Sequence, residues 1–474
     1  MAGISQLLET ARRALLAQQT GLNVTGHNIA NASTPGYSRQ RVDLTSTPAI
    51  RDTAGYLGTG AIASSVTRMR NRFIDQQLRS TQGSLGEASL HQSIMSQVEA
   101  TLNEPSSAAL GSAISAFFNA WEDLSTHPED QVSRNALLQQ GNLLSEGFHR
   151  LASGLTTFRG SLRDDINAKV ARLNTLAKEI SSLDVQVIAA RSGGTSPNDL
   201  LDQRDQLLEE LSGLANITVS EDSLGSVTVT LGSMVIASRG GAVQIKAVPA
   251  AARTINGTSF DQMKIIAEKS GVQVDASTGE LGGILESYNA GIPNYLGKLD
   301  QLAAAFVNEI NALHVTGFGL QNPPRTGINF FKGTSAATIG VDLTDTSGGA
   351  LPGSAPDLNN IAAADPPGSP GNNAIALRIA ALARNGAGSL GTVSLPQFYN
   401  NMVSELGIDV SSSGNEVSSN ELVLQQLEGQ RDAVSAVSLD EEMTNLIRFQ
   451  RAFDAAAKVV ATTDEMFQTI LTMV

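Results

Sequence analysis

At 474 residues the chain has the length of about three domains, and with only 4% aromatic residues its core must be packed mainly by helical Ala, Leu, Ile and Val. A net charge of −14 argues against nucleic acid as the main partner, and the absence of cysteine excludes a disulfide framework or a thiolate metal site. No run of about 18 apolar residues is present to span a membrane.

The opening MAGISQLLETARRALL has no basic segment leading into an apolar core, so a cleaved secretory signal is not expected. Zero cysteine is compatible with a chain that leaves the cell unfolded. Within this first stretch Ile4, Leu8, Ala11, Leu15, Gln18, Leu22, Thr25 and Ile29 are spaced alternately four and three apart. Six of the eight are apolar, which predicts a helix with a coiled-coil seam. The seam ends in Asn28-Ile29-Ala30-Asn31 and Thr34-Pro35-Gly36-Tyr37. Asn side chains satisfy orphan groups at a helix end, and Pro-Gly suits the centre of a type II turn.

Residues 42–66 alternate weakly around Gly55, Gly58 and Gly60. The spacing is not that of a phosphate-binding loop and no Gly-Lys-Ser/Thr follows, so a loop and hairpin are expected. Arg68, Arg70, Arg72 and Arg79 come next without interleaved aromatics, which fits a solvated or subunit-contacting face better than a nucleic-acid site.

Residues 66–126 read as helical, with Pro105 at a helix start and a break at His127-Pro128. No proline occurs over 129–191, although Gly141, Gly147, Gly154 and Gly160 weigh against one unbroken rod. After Ser192-Gly193-Gly194, Asn198 is placed to cap a helix carrying Leu200, Leu201, Leu207, Leu208 and Leu211. The period then changes to two: 217–219, 227–231 and 263–266 read as strands, and 216–280 as one inserted antiparallel β domain. Helix returns over about 281–315, with an irregularity expected at Pro293. Residues 316–372, rich in Gly, Pro, Ser and Asp, read as an excursion, with membership of the outer domain left open.

The last helix carries Leu439, Met443, Leu446, Gln450, Phe453, Ala457, Val460, Asp464, Phe467 and Leu471 at four-three spacing, eight of the ten apolar. A second row runs through Phe449, Ala452, Ala456, Val459, Thr463, Met466 and Ile470. One seam buries against a single partner; two ask for several. Residues 1–72 carry a net +5 and residues 439–474 a net −3, so the charges permit the two ends to pair.

No catalytic constellation is visible. His27, His91, His127, His149 and His314 lack metal-ligand spacing and read as surface or capping residues. Asp164-Asp165 and Glu441-Glu442 are adjacent on helices, so each pair diverges by about 100°, and Glu441 and Glu442 suit the positive end of their helix. No nucleophile elbow or Walker motif occurs. Neither an enzyme nor a cofactor or metal is implied.

Asn28 to Asn31, Thr34 to Tyr37 and the Asp-Glu-Glu-Met at 440–443 together resemble the flagellar rod, hook and hook-associated axial proteins. The fuller Ser33-Thr34-Pro35-Gly36-Tyr37-Ser38-Arg39-Gln40 is similar to the member that joins hook to filament. So is the 197–205 stretch containing Asn198, Leu200, Leu201, Asp202, Arg204 and Asp205, which is not expected in the hook subunit. The resemblance implies a structural subunit at the distal end of the hook, exported without a cleaved signal by the flagellar type III apparatus and located outside the cell. Its implied partners are further copies of itself, the flagellar hook protein, hook-associated protein 3, and an export chaperone on the C-terminal helix.

The expected fold is mainly α with an inserted β domain, elongated, with paired terminal helices forming a coiled-coil core. Residues 1–65 with 436–474 would form the assembly core; 66–215 with 281–315 and 373–435 a long-helix rod domain; 216–280 the outer β module. Its assembly interface would comprise Ile4, Leu8, Leu15, Leu22 and Ile29, and in the last helix Leu439, Met443, Leu446, Phe453, Val460, Phe467 and Leu471. Two alternatives remain at this stage: a hook or distal rod subunit of the same family, or a secreted oligomeric binding module whose β insert carries a ligand site.

Overall fold

A computed structural model of the chain describes residues 2–52, 55–344, 356–365, 367 and 371–473. Helix α1 (Ala2–Ala30) leads through the Pro35-Gly36 turn into β1 (Gln40–Ser46). The short hairpin of β2 (Ile50–Asp52) and β3 (Gly55–Leu57) follows, and then β4 (Ala61–Arg68) returns antiparallel to β1. Four helices come next: α2 (Arg72–Leu102), α3 (Leu110–Thr126), α4 (Gln131–Ser192) and α5 (Asn198–Leu214). The strands β5 (Ile217–Glu221), β6 (Val227–Leu231), β7 (Met234–Ser238), β8 (Gly241–Ala242), β9 (Ile245–Ile255), β10 (Thr258–Ala267) and β11 (Gln273–Val274) are then consecutive. After α6 (Gly279–Glu286), a π turn at Ser287–Gly291 and α7 (Ile292–His314) come β12 (Phe331–Lys332), β13 (Gly340–Val341) and α8 (Ala374–Ala381). The long α9 (Leu395–Ser435) and α10 (Leu439–Met473) close the chain.

Helix α4 runs unbroken for 62 residues in spite of its four glycines. Each glycine costs a helix about 1 kcal/mol, whereas burying one leucine stabilises by about 2 kcal/mol. Leu137, Leu144, Phe148, Leu155, Leu173 and Leu176 are all within 1% of complete burial, so packing outweighs propensity. The irregularity expected at Pro293 is the π turn, with the proline in the first turn of α7 behind it.

The chain forms two compact units, one of Met1–Ser84, Arg172–Gln244 and Ser419–Val474, the other of Leu85–Ala171 and Ile245–Ser418. Helices α2, α4 and α9 contribute residues to both. In place of a single β domain over 216–280, the strands form a four-stranded sheet β5-β6-β7-β8 in the first unit and a three-stranded sheet β11-β10-β9 in the second. Alternation along the chain reports that a segment is a strand, but pairing is a choice between distant backbones.

In the first unit the four-stranded sheet is tied to helix by a buried ion pair. Arg204 Nη1 donates to Asp184 Oδ1 at 2.7 Å and to the Gly225 carbonyl at 2.9 Å. Asp184 also accepts the Val227 N–H at 2.9 Å and the Ser226 hydroxyl. In the second unit Arg159 plays the corresponding part, donating to Asp261 Oδ1 at 2.7 Å and to the Tyr288 carbonyl at 3.0 Å while its guanidinium lies 4.1 Å from the Tyr288 ring centroid.

The second unit gathers six phenylalanines and the single tryptophan. Phe117, Phe118 and Trp121 of α3 meet Phe148, Phe306, Phe330 and Phe331, with centroids from 4.8 Å (Phe330 to Phe331) to 6.4 Å (Phe117 to Trp121). Edge-to-face pairs of this kind add about 1 kcal/mol each beyond area burial. Phe330, Phe331, Ile339, Leu343 and Ile361 are fully buried, so part of the described 316–372 stretch contributes to the core of this unit while residues such as Leu320 and 322–324 lie exposed. Its remainder, 345–355, 366 and 368–370, lies outside the described residues.

His314 holds that segment and is neither a surface nor a capping residue. It is 1% exposed; Nε2 accepts the Ala362 N–H at 2.9 Å, which leaves Nδ1 to donate to the Ile328 carbonyl at 2.6 Å. Beside it, the buried Arg134 donates to the carbonyls of Pro128, Leu358 and Ile361. Burial holds the His314 pKa down at about 4, against an ordinary 6.5. A base with a depressed folded pKa contributes stability that is complete above 6.5 and is lost as pH falls towards 4. For a shift of this size the loss reaches about 3 kcal/mol. His314→Gln is therefore expected to flatten the pH dependence of urea unfolding over that window, followed by Trp121 fluorescence. Identical slopes for the two proteins would refute the assignment.

Candidate assembly interface

Helices α1 and α10 pack against each other, and α1 also packs on β1 and β4. The buried or half-buried spine of α10 is Glu442, Leu446, Phe449, Phe453, Ala456, Val460, Thr463 and Phe467, again four-three spaced. Leu446, Phe453, Val460 and Phe467 come from the expected seam; Phe449, Ala456 and Thr463 come from the second row. Leu439 and Met443 are about half exposed, at 53% and 50%, and do not belong to the spine. On α1 the inward positions include Ala11, Gly21, Thr25 and Asn28, so two of them lie one residue before the expected Leu22 and Ile29. Leu15, Leu22 and Ile29 are half-buried and Leu8 is exposed. The side chains of Ile4 and Leu471 lie outside the described residues.

The shift has a steric and a polar cause. A Cβ on Gly21 would stand 2.7 Å from the Phe449 ring, so only glycine lets α10 approach there. Asn28 uses its whole amide: Nδ2 donates to the Gln40 carbonyl at 2.8 Å and to Glu442 Oε2 at 3.1 Å. Its Oδ1 accepts the Gln40 N–H at 3.0 Å and the Tyr37 hydroxyl at 2.7 Å. An isoleucine at that place would leave Glu442, 2% exposed, without one of its donors.

Around Asn28 the three sequence motifs converge on one polar latch. Arg39 donates to Glu442 at 2.8 Å and to Glu441 at 2.6 Å, and its N–H bonds the Ser435 carbonyl just before α10 at 2.9 Å. Asp202 of α5 accepts the Ser38 N–H at 3.0 Å, the Ser38 hydroxyl at 2.7 Å and Arg68 at 2.7 Å. Asp205 takes Arg68 and Arg70 at 2.8 and 2.9 Å, and Arg70 also pairs with Asp75 at 2.9 Å. Burial, and then the carboxylates of Asp199, Asp202 and Glu442, push the Tyr37 pKa up, which keeps its phenol a donor. Gly36 has φ +75, and Gln206 of α5 bonds the Pro35 carbonyl directly over it.

The remaining motif residues fall into place around this latch. Asn31 caps the end of α1, donating to the His27 carbonyl at 3.0 Å, and accepts Thr34 at 3.2 Å. Asn198 does not cap α5: it stands in the first turn, and its Nδ2 reaches Gln40 Oε1 and the Val66 carbonyl, both at 3.1 Å. Two acceptors fixed by β1 and β4 outcompete the local helix end. Leu201 is buried and Leu200 half-buried. Gly21 and Phe449 as partners left no mark that hydrophobic scoring reads, since glycine scores as a helix breaker.

Outside the latch, large apolar side chains lie open to solvent on both helices: Leu7, Leu8 and Leu16 on α1, and Leu439, Met443, Ile447, Val459, Met466 and Ile470 on α10. Scattered exposed apolar residues are ordinary, but repeated rows on paired helices are what a multi-helix assembly buries. Among the described residues no group of three His, Asp or Glu side chains is placed to hold a metal, and no helix is long and apolar enough to cross a membrane.

The latch closes the two chain ends onto each other and leaves apolar rows outside, and both ends match flagellar axial subunits. Models of the flagellar basal body rod protein and of the rod FlgEFG protein C-terminal region match residues 8–37 and 430–473, the two ends that meet here. A model of the flagellar hook-associated protein FlgK helical domain matches residues 95–331. The chain is 31% identical to flagellar hook-associated protein 1 of Bacillus subtilis, over 98% of this chain and 97% of that one. It is 27% identical to the Escherichia coli protein of the same name, over 99% and 100%. A solved structure of the flagellar hook junction protein FlgK from Burkholderia pseudomallei superposes with a TM-score of 0.61 at 15% identity. That match covers 76% of this chain and all of that one, and shows a shared fold. The chain belongs to the flagellar hook-associated protein 1 family, and it is a structural component of the bacterial flagellum.

Asp202→Ala removes three partners at once from Ser38 and Arg68. The expected cost is about 2–4 kcal/mol, read from urea unfolding, with amide protection lost first over residues 28–42. Native stability and native protection in this variant would show that the latch does not hold the turn.

Proposed function

We propose that the chain is the adaptor at the distal end of the hook, where it joins hook to filament and carries out no catalysis. The observation that carries this reading is the pairing of α1 with α10 behind a hydrogen-bonded latch while repeated apolar rows remain uncovered. In this reading residues 1–65 with 436–474 are the assembly core. The open rows are buried by neighbouring copies on one side and by the flagellar hook protein and hook-associated protein 3 along the axis. Before assembly the chain travels unfolded through the flagellar export apparatus to the outside of the cell. A chaperone covers the C-terminal helix on the way, because an apolar row in an unpaired helix is prone to aggregate.

The same proposal includes folding on assembly for the parts of α1 and α10 beyond the latch, which are marginal in water and gain the rest of their burial from neighbours. Strong hydrogen-exchange protection of both arms in the dilute monomer would argue against it.

The decisive experiment adds purified chain to hooks stripped of their junction proteins and images the ends by negative-stain electron microscopy. A single layer confined to one end is expected. Growth of a tube would make the chain a hook or rod subunit, and no binding would refute the adaptor role. Leu439→Glu with Met443→Glu is expected to abolish this layer while changing monomer stability by less than about 1 kcal/mol, as at other exposed positions. Normal incorporation of the double variant would remove these residues from the interface.

A further inference from the structure

We propose that a cleft in the first unit, walled by α2, the end of α4, α5 and the β5-β6 edge, binds a small molecule bearing phosphate-type oxyanions. The cleft has a volume of about 600 Å³, within the range of small-ligand sites. Its lining is dominated by guanidinium groups. The inner ones, Arg68 and Arg70, are committed to Asp75, Asp202 and Asp205 in the latch.

The outer wall is different. Arg72 and Arg79 stand two turns apart on one face of α2 and line the cleft together with Arg191 from the end of α4. Arg72 and Arg191 share a single carboxylate, Glu221, at 2.9 and 4.0 Å. Arg79 has no hydrogen bond or ion pair among the described residues, and Asp205, Asp75 and Glu209 act on it only at longer range. Of the outer three, Arg72 and Arg191 share Glu221, and Arg79 alone has no carboxylate bonded to it among the described residues. Burial disfavours the charge on Arg79, so the fold keeps a cation there at a cost in stability.

A planar guanidinium without a carboxylate, as at Arg79, is matched by a bidentate oxyanion. An oxyanion seated on Arg79 with Arg72 and Arg191 beside it gains more when divalent than when monovalent, and the volume admits two such groups. This role is separate from assembly, because none of Arg72, Arg79 and Arg191 belongs to the apolar rows on α1 and α10.

The test is isothermal titration of the full-length chain with inorganic phosphate and with pyrophosphate, against acetate at equal ionic strength. Saturable binding of phosphate or pyrophosphate and none of acetate is expected. Tighter binding of pyrophosphate identifies a two-group ligand, and equal affinity a single oxyanion. Arg79→Gln should weaken binding by about tenfold or more, while its melting temperature without ligand stays equal or rises. Arg72→Gln should weaken it as well. Absence of saturable binding overturns the proposal. So does undiminished binding by Arg79→Gln, or a fall in its ligand-free melting temperature, which would make Arg79 a structural residue.

Discussion

The amide of Asn28 is the point on which the first unit depends. Its four hydrogen bonds reach β1, Tyr37 and the buried Glu442, so one side chain joins the end of α1, the turn and the start of α10. A buried carboxylate is tolerable only when its oxygens are paired, and Asn28 and Arg39 supply that pairing. The consequence is geometric as well as energetic. A half-satisfied latch would be worse than an apolar contact, so α10 can begin in one place only, and its register against Gly21 follows.

The second unit solves a different problem by different means. A chain with few aromatic residues concentrates six phenylalanines and its tryptophan in one core, and closes that core with two buried bases, His314 and Arg134, that bond carbonyl oxygens. Among the described residues neither base makes an ion pair, and Glu129 acts on Arg134 only at longer range. Both therefore serve as donors to backbone that would otherwise be buried without partners, in a segment too poor in regular structure to satisfy itself.

The open apolar rows gain their meaning from the latch. If α1 and α10 buried every apolar residue against each other, nothing would remain for a neighbour. Instead the α1 side of the contact uses Ala11, Gly21, Thr25 and Asn28 against Leu446, Phe449, Phe453, Val460 and Phe467 of α10, while Leu7, Leu8, Leu16, Leu439, Met443 and Met466 are held outside. Small residues on α1 let the large inner side chains of α10 approach, and a separate outer set of large side chains stays available.

Much of this was legible in the order of the residues. Helical period at both ends, the break at Pro35-Gly36, the period change after residue 216 and the irregularity at Pro293 are local signals, because they rest on backbone preference and on spacing of 3.6 or 2. The motifs at 28–37, 198–205 and 440–443 were visible as motifs, and they pointed to the family, but not to one another. What only the tertiary structure decided is which positions meet: Gly21 beneath Phe449 in place of Leu22, Asn28 on Glu442 in place of Ile29, Asn198 reaching Gln40 in place of a cap, two sheets in place of one, and a histidine at the centre of a core. The physical reason is common to all five. Hydrophobicity is a property of each residue, but steric fit and hydrogen-bond satisfaction are properties of pairs far apart in the chain, and those pairs exist only once the chain has folded.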